Sequence, residues 1–272
     1  MCIISGKIEK VSNTEILAAN IGHNKQLTIY SNDVKTSLPV AMILPYPKSK
    51  TPIQVIQTNP LDNQIFRDLN ACFPSGWGVK TLGVSYGRSK SAATDYLPVL
   101  RSGSYQYSLA NTTQDLNRVN PNVFRISGQL QTLLQKYENS HFAFIVCIID
   151  SNVNYSPFAY ITGMVNSQIF VPTKHYHEHG TSSYGLDANL LSNVYKSTSQ
   201  LIGTRTTEDY SNDWDHSIFL LNTDQIGNAF IGFTNKTRYS FSEYLSTCPA
   251  EKMHRIFMEG RHPNKDLIVS VA

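Results

Sequence analysis

A run of eight apolar residues, Phe-Ala-Phe-Ile-Val-Cys-Ile-Ile at positions 142–149, limits most strongly what this chain can fold into. The polar residues His141 and Asp150 bound the run, which is far shorter than the roughly 18 residues that a membrane-spanning helix needs. A continuous apolar run of this length is typical of a central strand that is covered on both faces. The chain is therefore predicted to contain a sheet with packed layers on each side.

Patterns elsewhere predict an α+β fold. Apolar residues at helical spacing indicate one helix over residues 61–72, with Asp62 as its N-cap, and a second over residues 127–137. Further helices are predicted over residues 187–201 and 242–258, and strands at residues 15–20, 26–30, 39–44, 96–100, 103–109, 158–164, 168–171, 218–221, 229–233 and 267–271. Because the strands do not alternate strictly with helices, we expect layered, mostly antiparallel sheets with helices on their faces.

The composition excludes several classes of function. The net charge is only +3 and no block of Lys or Arg stands out, so nucleic acid is not expected as a partner. The start lacks the order of a secretory signal, and a cytoplasmic protein without membrane insertion is predicted, with a virion as the alternative location. The four cysteines have no C-x-x-C spacing, which indicates neither a zinc knuckle nor a disulfide framework. No phosphate-binding glycine motif occurs, so no nucleotide cofactor is expected.

The density of charge suggests how the surface is used. Charged residues make up 16% of the chain, against about 25% in an average soluble protein. Tyr-rich, charge-poor surfaces suit persistent protein contacts, because aromatic residues are enriched and Lys and Glu depleted at interfaces. Protein partners, either a homo-oligomer or a larger assembly, are expected on this basis. The alternative is an AT-rich genome that encodes Asn and Tyr wherever they are tolerated.

Cys2 is the first candidate catalytic residue. A methionine before a small residue is normally removable, and Cys2 would then carry both a thiol and an α-amino group with a pKa of about 8. Nucleophile and base would lie on one residue. The alternative is a small buried side chain behind an ordinary N-terminus.

Histidines form the second candidate site. His175, His177 and His179 alternate, so in an extended segment all three side chains lie on one face. Together with His216, and with Asp213 or Asp215 as an oxygen ligand, they could hold Zn²⁺ or a similar divalent ion.

Two other interpretations of the histidines remain open. If the sheet brings His175 or His177 close to Cys2, an imidazole would be the partner of the thiolate, and no metal would be needed. The histidines could instead lie on a surface loop, because Pro172 precedes the triplet and Gly180 follows it.

Four stretches of the chain form a set. They are Met1-Cys2-Ile3-x-Ser5-Gly6; Ala41-Met42-Ile43-Leu44-Pro45; Gly103-Ser104-Tyr105-x-x-Ser108 with Asp115-Leu116-Asn117-Arg118-Val119-Asn120-Pro121; and Phe170-Val171-Pro172-Thr173-x-His175-x-His177 with Asp215-His216-Ser217-Ile218-Phe219. Together they resemble a family of uncharacterised bacterial proteins. The resemblance covers roughly residues 1–222 and implies no reaction, because that family has no assigned activity.

A cysteine directly behind Met1 that opens a β-hairpin also resembles the cysteine branch of the N-terminal-nucleophile amidohydrolases. This second resemblance implies a four-layer αββα fold in which Cys2 attacks an amide carbon and its own amine shuttles the proton. The family pattern expects an Arg shortly after the first hairpin, whereas residues 17–21 here read Leu-Ala-Ala-Asn-Ile. Arg118 is the candidate to supply the missing charge.

The first resemblance divides the chain into a core domain of residues 1–222 and an extension of residues 223–272. Stretches at about residues 75–94 and 180–212 are predicted as loop insertions in the core domain. The extension is expected to pack on the core or on a partner, because its apolar side chains are too many to remain in water. They are Phe230, Phe233, Tyr239, Phe241, Tyr244, Ile256 and Phe257.

Three functions follow from these observations. The first is a cysteine-dependent amidohydrolase of unknown substrate, with Cys2 as nucleophile and Arg118, His175, His177 and His216 as supporting groups. The second is a non-enzymatic subunit of a larger assembly such as a virion, supported by the low charge density and the extension. The third is a metal-binding module with His175, His177, His216 and Asp215 as ligands.

Overall fold

The structure, a computed structural model, describes residues 3–73, 96–119, 124–150, 153, 155–179, 210–221, 239–246 and 253–271. The strands are β1 Ile3–Ile8, β2 Lys10–Asn20, β3 Lys25–Lys35, β4 Val40–Pro47, β5 Gln54–Ile56, β6 Leu100–Ser102, β7 Tyr105–Ala110, β8 Phe142–Ile149, β9 Phe158–Gly163, β10 Gln168–Val171, β11 Tyr176–His179, β12 Tyr210–Leu221, β13 Met253–Pro263 and β14 Leu267–Ser270. The helices are α1 Ile65–Ala71, α2 Gly128–Asn139 and α3 Ser242–Ser246, and short 3-10 turns occupy Pro60–Gln64 and Asp115–Arg118.

Two six-stranded sheets form the centre of the molecule. Sheet A has the strand order β11-β1-β4-β8-β7-β6, sheet B has the order β13-β12-β2-β3-β9-β5, and β10 pairs with β14 in a third, two-stranded sheet. Most neighbouring strands are antiparallel, and the parallel pairs are β1 with β11 and β2 with β12. The mostly antiparallel α+β fold predicted from the sequence is confirmed.

Strand β8 occupies the position that its apolar run predicts. It pairs with β4 on one side and β7 on the other. Ile145 and Cys147 pack into the core between the two sheets, whereas Phe144 and Val146 pack into a second core on the outer face of sheet A. Because other layers cover both faces of β8, apolar residues occupy every position of the strand.

Helices cover the outer faces of both sheets. Helix α2 begins after Ser127, whose hydroxyl accepts a hydrogen bond from the Leu130 N–H, and its Leu130 and Leu134 pack on the outer face of sheet A. Helix α1 and the short α3 pack on the outer face of sheet B, as the shared core of Phe66, Phe219 and Leu245 indicates. The layers run helix, sheet, sheet, helix. Likeness to N-terminal-nucleophile enzymes in particular is not confirmed and stays a prediction.

A 3-10 turn that starts at Pro60 precedes the first α-helix, so the helical segment begins before the predicted N-cap, whereas α1 itself begins at Ile65. Asn59, not Asp62, is the N-cap of the 3-10 turn that leads into α1, and its side chain accepts from the Leu61 N–H. Asp62 reaches back to accept from the Asn59 N–H at 2.7 Å. The two residues form a capping box, in which the acidic residue near the helix start is the third helical residue and not the cap.

The helix predicted over residues 242–258 is wrong. Among its described residues only Ser242–Ser246 is helical, and β13, from Met253, pairs with β12 along ten described register positions. Pairing with a distant strand overrides the local helical pattern. A full ladder of hydrogen bonds and side-chain contacts contributes more stabilising free energy than helix propensity, which differs between residues by only tenths of a kcal/mol.

The described part of the extension belongs to the packed structure. Strand β13 is the edge strand of sheet B, β14 pairs with β10, and Tyr239 and Phe241 are buried on the outer face of sheet B. Phe257 stays 39% exposed. The predicted insertions at residues 75–94 and 180–212, the helix at 187–201 and the strand at 229–233 fall mostly or wholly outside the described residues. Within the described ranges, no helix has the length and hydropathy of a membrane span.

Candidate functional site

The strand that carries the predicted histidines lies beside the start of the chain. β11 runs parallel to β1, with Ile3 opposite Tyr176 and Ile4 opposite His177. Ile4 faces the core between the two sheets, so His177 faces the same side. The predicted extended conformation of this segment is confirmed for Tyr176–His179.

Two residues of the extension hold this segment in place. The Asn264 amide bonds both backbone groups of His175, accepting from its N–H at 2.6 Å and donating to its C=O at 2.9 Å. The Asp266 carboxylate accepts from the Thr173 N–H at 2.8 Å and the Lys174 N–H at 2.9 Å. The Tyr137 hydroxyl donates to the same carboxylate. The chain end thus fixes the backbone that presents His175.

His216 joins the cluster from the other sheet. It lies on β12 of sheet B, two residues before Ile218, which faces the core between the sheets. The centroids of the His175 and His216 rings are 4.9 Å apart, and those of His175 and His177 are 6.3 Å apart. The structure therefore brings together three of the four histidines that sequence reasoning selected. The side chain of the fourth, His179, lies outside the described part.

Burial decides the protonation of this cluster. His175 is 7% exposed and His216 is 1% exposed. Burial lowers the pKa of His175 to about 2, and repulsion from His177 acts in the same direction. Burial also lowers the pKa of His216, with His175 and His262 adding to the effect. Both imidazoles are neutral near pH 7, so they can offer a nitrogen lone pair but are weak proton acceptors.

The predicted oxygen ligand lies elsewhere. Asp215 precedes His216 on the same strand, so its side chain points to the opposite face of sheet B. Its carboxylate accepts from the Asn13 N–H at 3.0 Å. The side chain of the alternative ligand, Asp213, lies outside the described part. No set of three or more His, Cys, Asp or Glu side chains in the described ranges is arranged to hold a metal ion.

Arg118 is not brought to the histidines either. It ends the 3-10 turn whose Leu116 packs in the core on the outer face of sheet A, whereas His177 faces the inner side. Its guanidinium lies 3.6 Å from the Asp115 carboxylate, and its side chain is 54% exposed. Cys2 lies outside the described residues, so its role as nucleophile stays a prediction.

A second polar group, which sequence reasoning missed, lies on the outer face of sheet B. Asn70 donates to the Glu15 carboxylate at 2.9 Å, and Arg255 donates to the Ser217 hydroxyl at 3.3 Å. Burial raises the pKa of Glu15 to about 7, against the opposing effect of the Asn70 hydrogen bond. The Arg255 guanidinium lies 5.6 to 5.8 Å from the centroids of three rings, those of Phe73, Phe219 and Phe257. The only sequence signal was a charged residue, Glu15, inside a predicted strand.

Comparisons with known proteins give remote matches to solved structures but no family. Neither a family model nor a curated protein matches the chain, so the resemblance to the bacterial family stays a prediction. A mutated baculovirus P35 after caspase cleavage is 10% identical, with a TM-score of 0.48 over 97% of this chain and 98% of that one. A second structure, of baculovirus P35, gives 10% identity and a TM-score of 0.43 over 96% of each chain. The complex of caspase-8 with P35 gives 10% and 0.44 over the same shares.

Proposed function

We propose that the protein is not an enzyme and that it acts by binding another protein through residues 96–100, the segment that leads into β6. The observation that carries the proposal is the exposure of three large apolar side chains within five residues. Tyr96, Val99 and Leu100 are 41%, 40% and 43% exposed. Aromatic and apolar side chains grouped in this way are typical of protein interfaces.

The 96–100 segment is anchored to the core through Leu97 and Pro98, which leaves the Tyr96, Val99 and Leu100 side chains at the surface. Leu97 is 8% exposed, and its N–H donates to the Arg118 C=O at 2.8 Å. The Ser108 hydroxyl donates to the Pro98 C=O at 2.9 Å. A surface that is already ordered loses little conformational entropy when a partner binds.

The sheet edge at this point also suits an extended partner. Strand β6 is the last strand of sheet A among the described strands and pairs only with β7. The Ser102 end is covered, since Ser102 donates to the Ile56 C=O and Gln57 donates to the Arg101 C=O. The Leu100 end of β6 is the exposed part of this edge, and such edges accept chain segments from other proteins.

The buried histidines are poor candidates for acid–base catalysis. A general base works best with a pKa near the operating pH, whereas the pKa of His175 is about 2. Arg118 pairs with Asp115 on the other side of sheet A. The cysteine-dependent amidohydrolase stays a prediction that depends on Cys2 and its own amine.

Replacement of one exposed side chain tests the proposal. Leu100→Asp should abolish or weaken partner binding by about tenfold, because a charge replaces an apolar contact at the centre of the surface. Leu38→Asp is the matched control, since Leu38 is 70% exposed in the turn between β3 and β4. Wild type and both variants are immobilised and incubated with purified caspase-8, the protein bound to P35 in the solved complex. In a second experiment they are incubated with an extract of the cells that produce the protein, and the retained proteins are quantified by mass spectrometry.

We expect wild type and Leu38→Asp to retain the same protein and Leu100→Asp to lose it. Retention of caspase-8 would identify a protease as the partner, and retention of the chain itself would indicate a subunit of an assembly such as a virion. Equal retention by all three proteins, or none by wild type, would contradict the proposal.

A second candidate function, binding of Zn²⁺ or a similar divalent ion, is favoured by the proximity of the His175 ring to those of His177 and His216. The three side chains do not form a ligand set as they are placed, so the ion would have to reorient them. Metal binding requires unprotonated imidazole, and burial keeps two of these rings neutral. At a hundredfold excess over its dissociation constant, Zn²⁺ should stabilise the fold by about 2.7 kcal/mol. Thermal unfolding of wild type, His177→Asn and the exposed control His23→Asn measures this. Only His177→Asn should lose the stabilisation, and an unfolding temperature of wild type unchanged by Zn²⁺ would exclude the site.

A further inference from the structure

A cavity of about 670 Å³ opens between the end of β4, the turn before β8, and the β10–β14 pair. Its volume lies within the roughly 300–1,000 Å³ of small-molecule sites in proteins. The lining residues are Pro47, Lys48, Ser49, Lys50, Ser140, His141, Phe142, Val165, Gln168, Ile169, Phe170 and Ile268. None of the candidate residues for catalysis, metal binding or partner binding lies among them.

The deep walls of the cavity are apolar. Phe142 and Phe170 pack edge to face, with ring centroids 4.7 Å apart, and both line the cavity. At the mouth, Ile268 and Val165 remain 59% and 41% exposed. An apolar body in the cavity would remove these side chains from water, which contributes about 25 cal/mol for each Å² that is covered.

The polar part of the lining has one sign of charge. Lys48 and Lys50 line the cavity, and no Asp or Glu of the described ranges does. The Glu138 carboxylate, which interacts with Lys48, accepts from the Thr113 N–H and hydroxyl and is not among the residues that line the cavity. The lysines are therefore placed to meet an anion from the cavity.

We propose that this cavity binds a small molecule with an aliphatic body and a carboxylate head, of the fatty-acid class. The aliphatic body lies against Phe142 and Phe170, with Val165 and Ile268 at the mouth, and the carboxylate lies against Lys48 and Lys50. Charge-assisted contacts to two lysines select the anion, and the apolar walls select the chain. The site is separate from the 96–100 segment, so this proposal does not depend on the proposed protein binding.

Calorimetry on the full chain tests the proposal with two probes of equal chain length and opposite charge. Laurate should bind with one site per chain, and dodecyltrimethylammonium at least about tenfold more weakly, because the lysines repel it. Both probes are kept below the concentrations at which they form micelles. Equal affinities for the two probes, or no laurate binding, would overturn the proposal.

Variants distinguish the cavity from general adsorption. Lys48→Glu combined with Lys50→Glu should weaken laurate binding by about tenfold or more, since two attractions become repulsions. Lys10→Glu, at an exposed residue of β2, is the matched control and should bind as wild type does. Val165→Trp places a large side chain at the mouth without touching the charges and should also weaken binding. Wild-type affinity in both cavity variants, with folding confirmed by thermal unfolding, would overturn the proposal.

Discussion

Asp266→Ala should lower the free energy of unfolding by about 2–4 kcal/mol, because it leaves three hydrogen-bond donors without their acceptor. The donors are the Thr173 and Lys174 N–H groups and the Tyr137 hydroxyl. They belong to the His175 segment and to α2, so one carboxylate joins the chain end to two layers of the fold. Burial raises the pKa of Asp266, while these hydrogen bonds favour its ionised form.

Urea unfolding at pH 7 measures this effect, with Asp266→Asn as the matched control. The asparagine keeps one carbonyl oxygen for the Thr173 and Lys174 N–H groups, so it should cost less than about 1.5 kcal/mol. Hydrogen exchange of the His175 amide should accelerate in the alanine variant, because the neighbouring backbone loses its support. An alanine variant within about 0.5 kcal/mol of wild type would show that Asp266 does not hold the segment.

Glu15→Gln should stabilise the protein above pH 7 by about 1–3 kcal/mol, because wild type must ionise a partly buried carboxyl there. Burial raises the pKa of Glu15 from 4.5 to about 7, and Asp33 and Asp215 act in the same direction, while Asn70 and Arg255 oppose it. The folded protein therefore holds a proton that the unfolded chain has lost. By linkage, this contribution to stability is present below pH 4.5 and is lost as the pH rises through 7.

The pH dependence of urea unfolding for wild type and Glu15→Gln between pH 5 and 8 tests this sign. The difference between the two proteins should be small at pH 5 and largest at pH 8. Glu9→Gln is the control, since Glu9 forms an exposed ion pair with Lys35 at 2.9 Å and should show no such dependence. A Glu15→Gln variant that is less stable than wild type at pH 8 would mean that Glu15 is ionised and held by Arg255.

Several elements followed from short stretches of sequence alone. The apolar run at 142–149 became β8, and the leucines after Ser127 became α2, because burial on two faces or on one helical stripe leaves a pattern within a few residues. The alternation of His175 and His177 likewise predicted one face of a strand. These are consequences of the two backbone periods, and they do not depend on the rest of the chain.

Local sequence patterns could not predict which strands pair when they are far apart in the chain. Residues 253–257 could form a helix by composition, and only the ladder with β12 makes them a strand. The sequence also left open which face of a sheet Arg118 and Asp215 occupy. Arg118 lies on the outer side of sheet A, and Asp215 points to the opposite face of sheet B from its neighbour His216. Sequence spacing measures distance along the chain, whereas a site requires that particular faces meet.

The sequence by itself determined the class of fold, its main strands and helices, and the histidines worth examining. The tertiary structure alone decided that the two sheets face each other across His175 and His216, and that Asn264 and Asp266 fix this segment from the far end of the chain. It also decided that Tyr96, Val99 and Leu100 remain exposed. The cavity lined by Lys48 and Lys50, between the end of β4, the turn before β8 and the β10–β14 pair, is likewise a product of the tertiary structure. Burial and the joining of distant segments are properties of packing, so no single stretch of residues carries them.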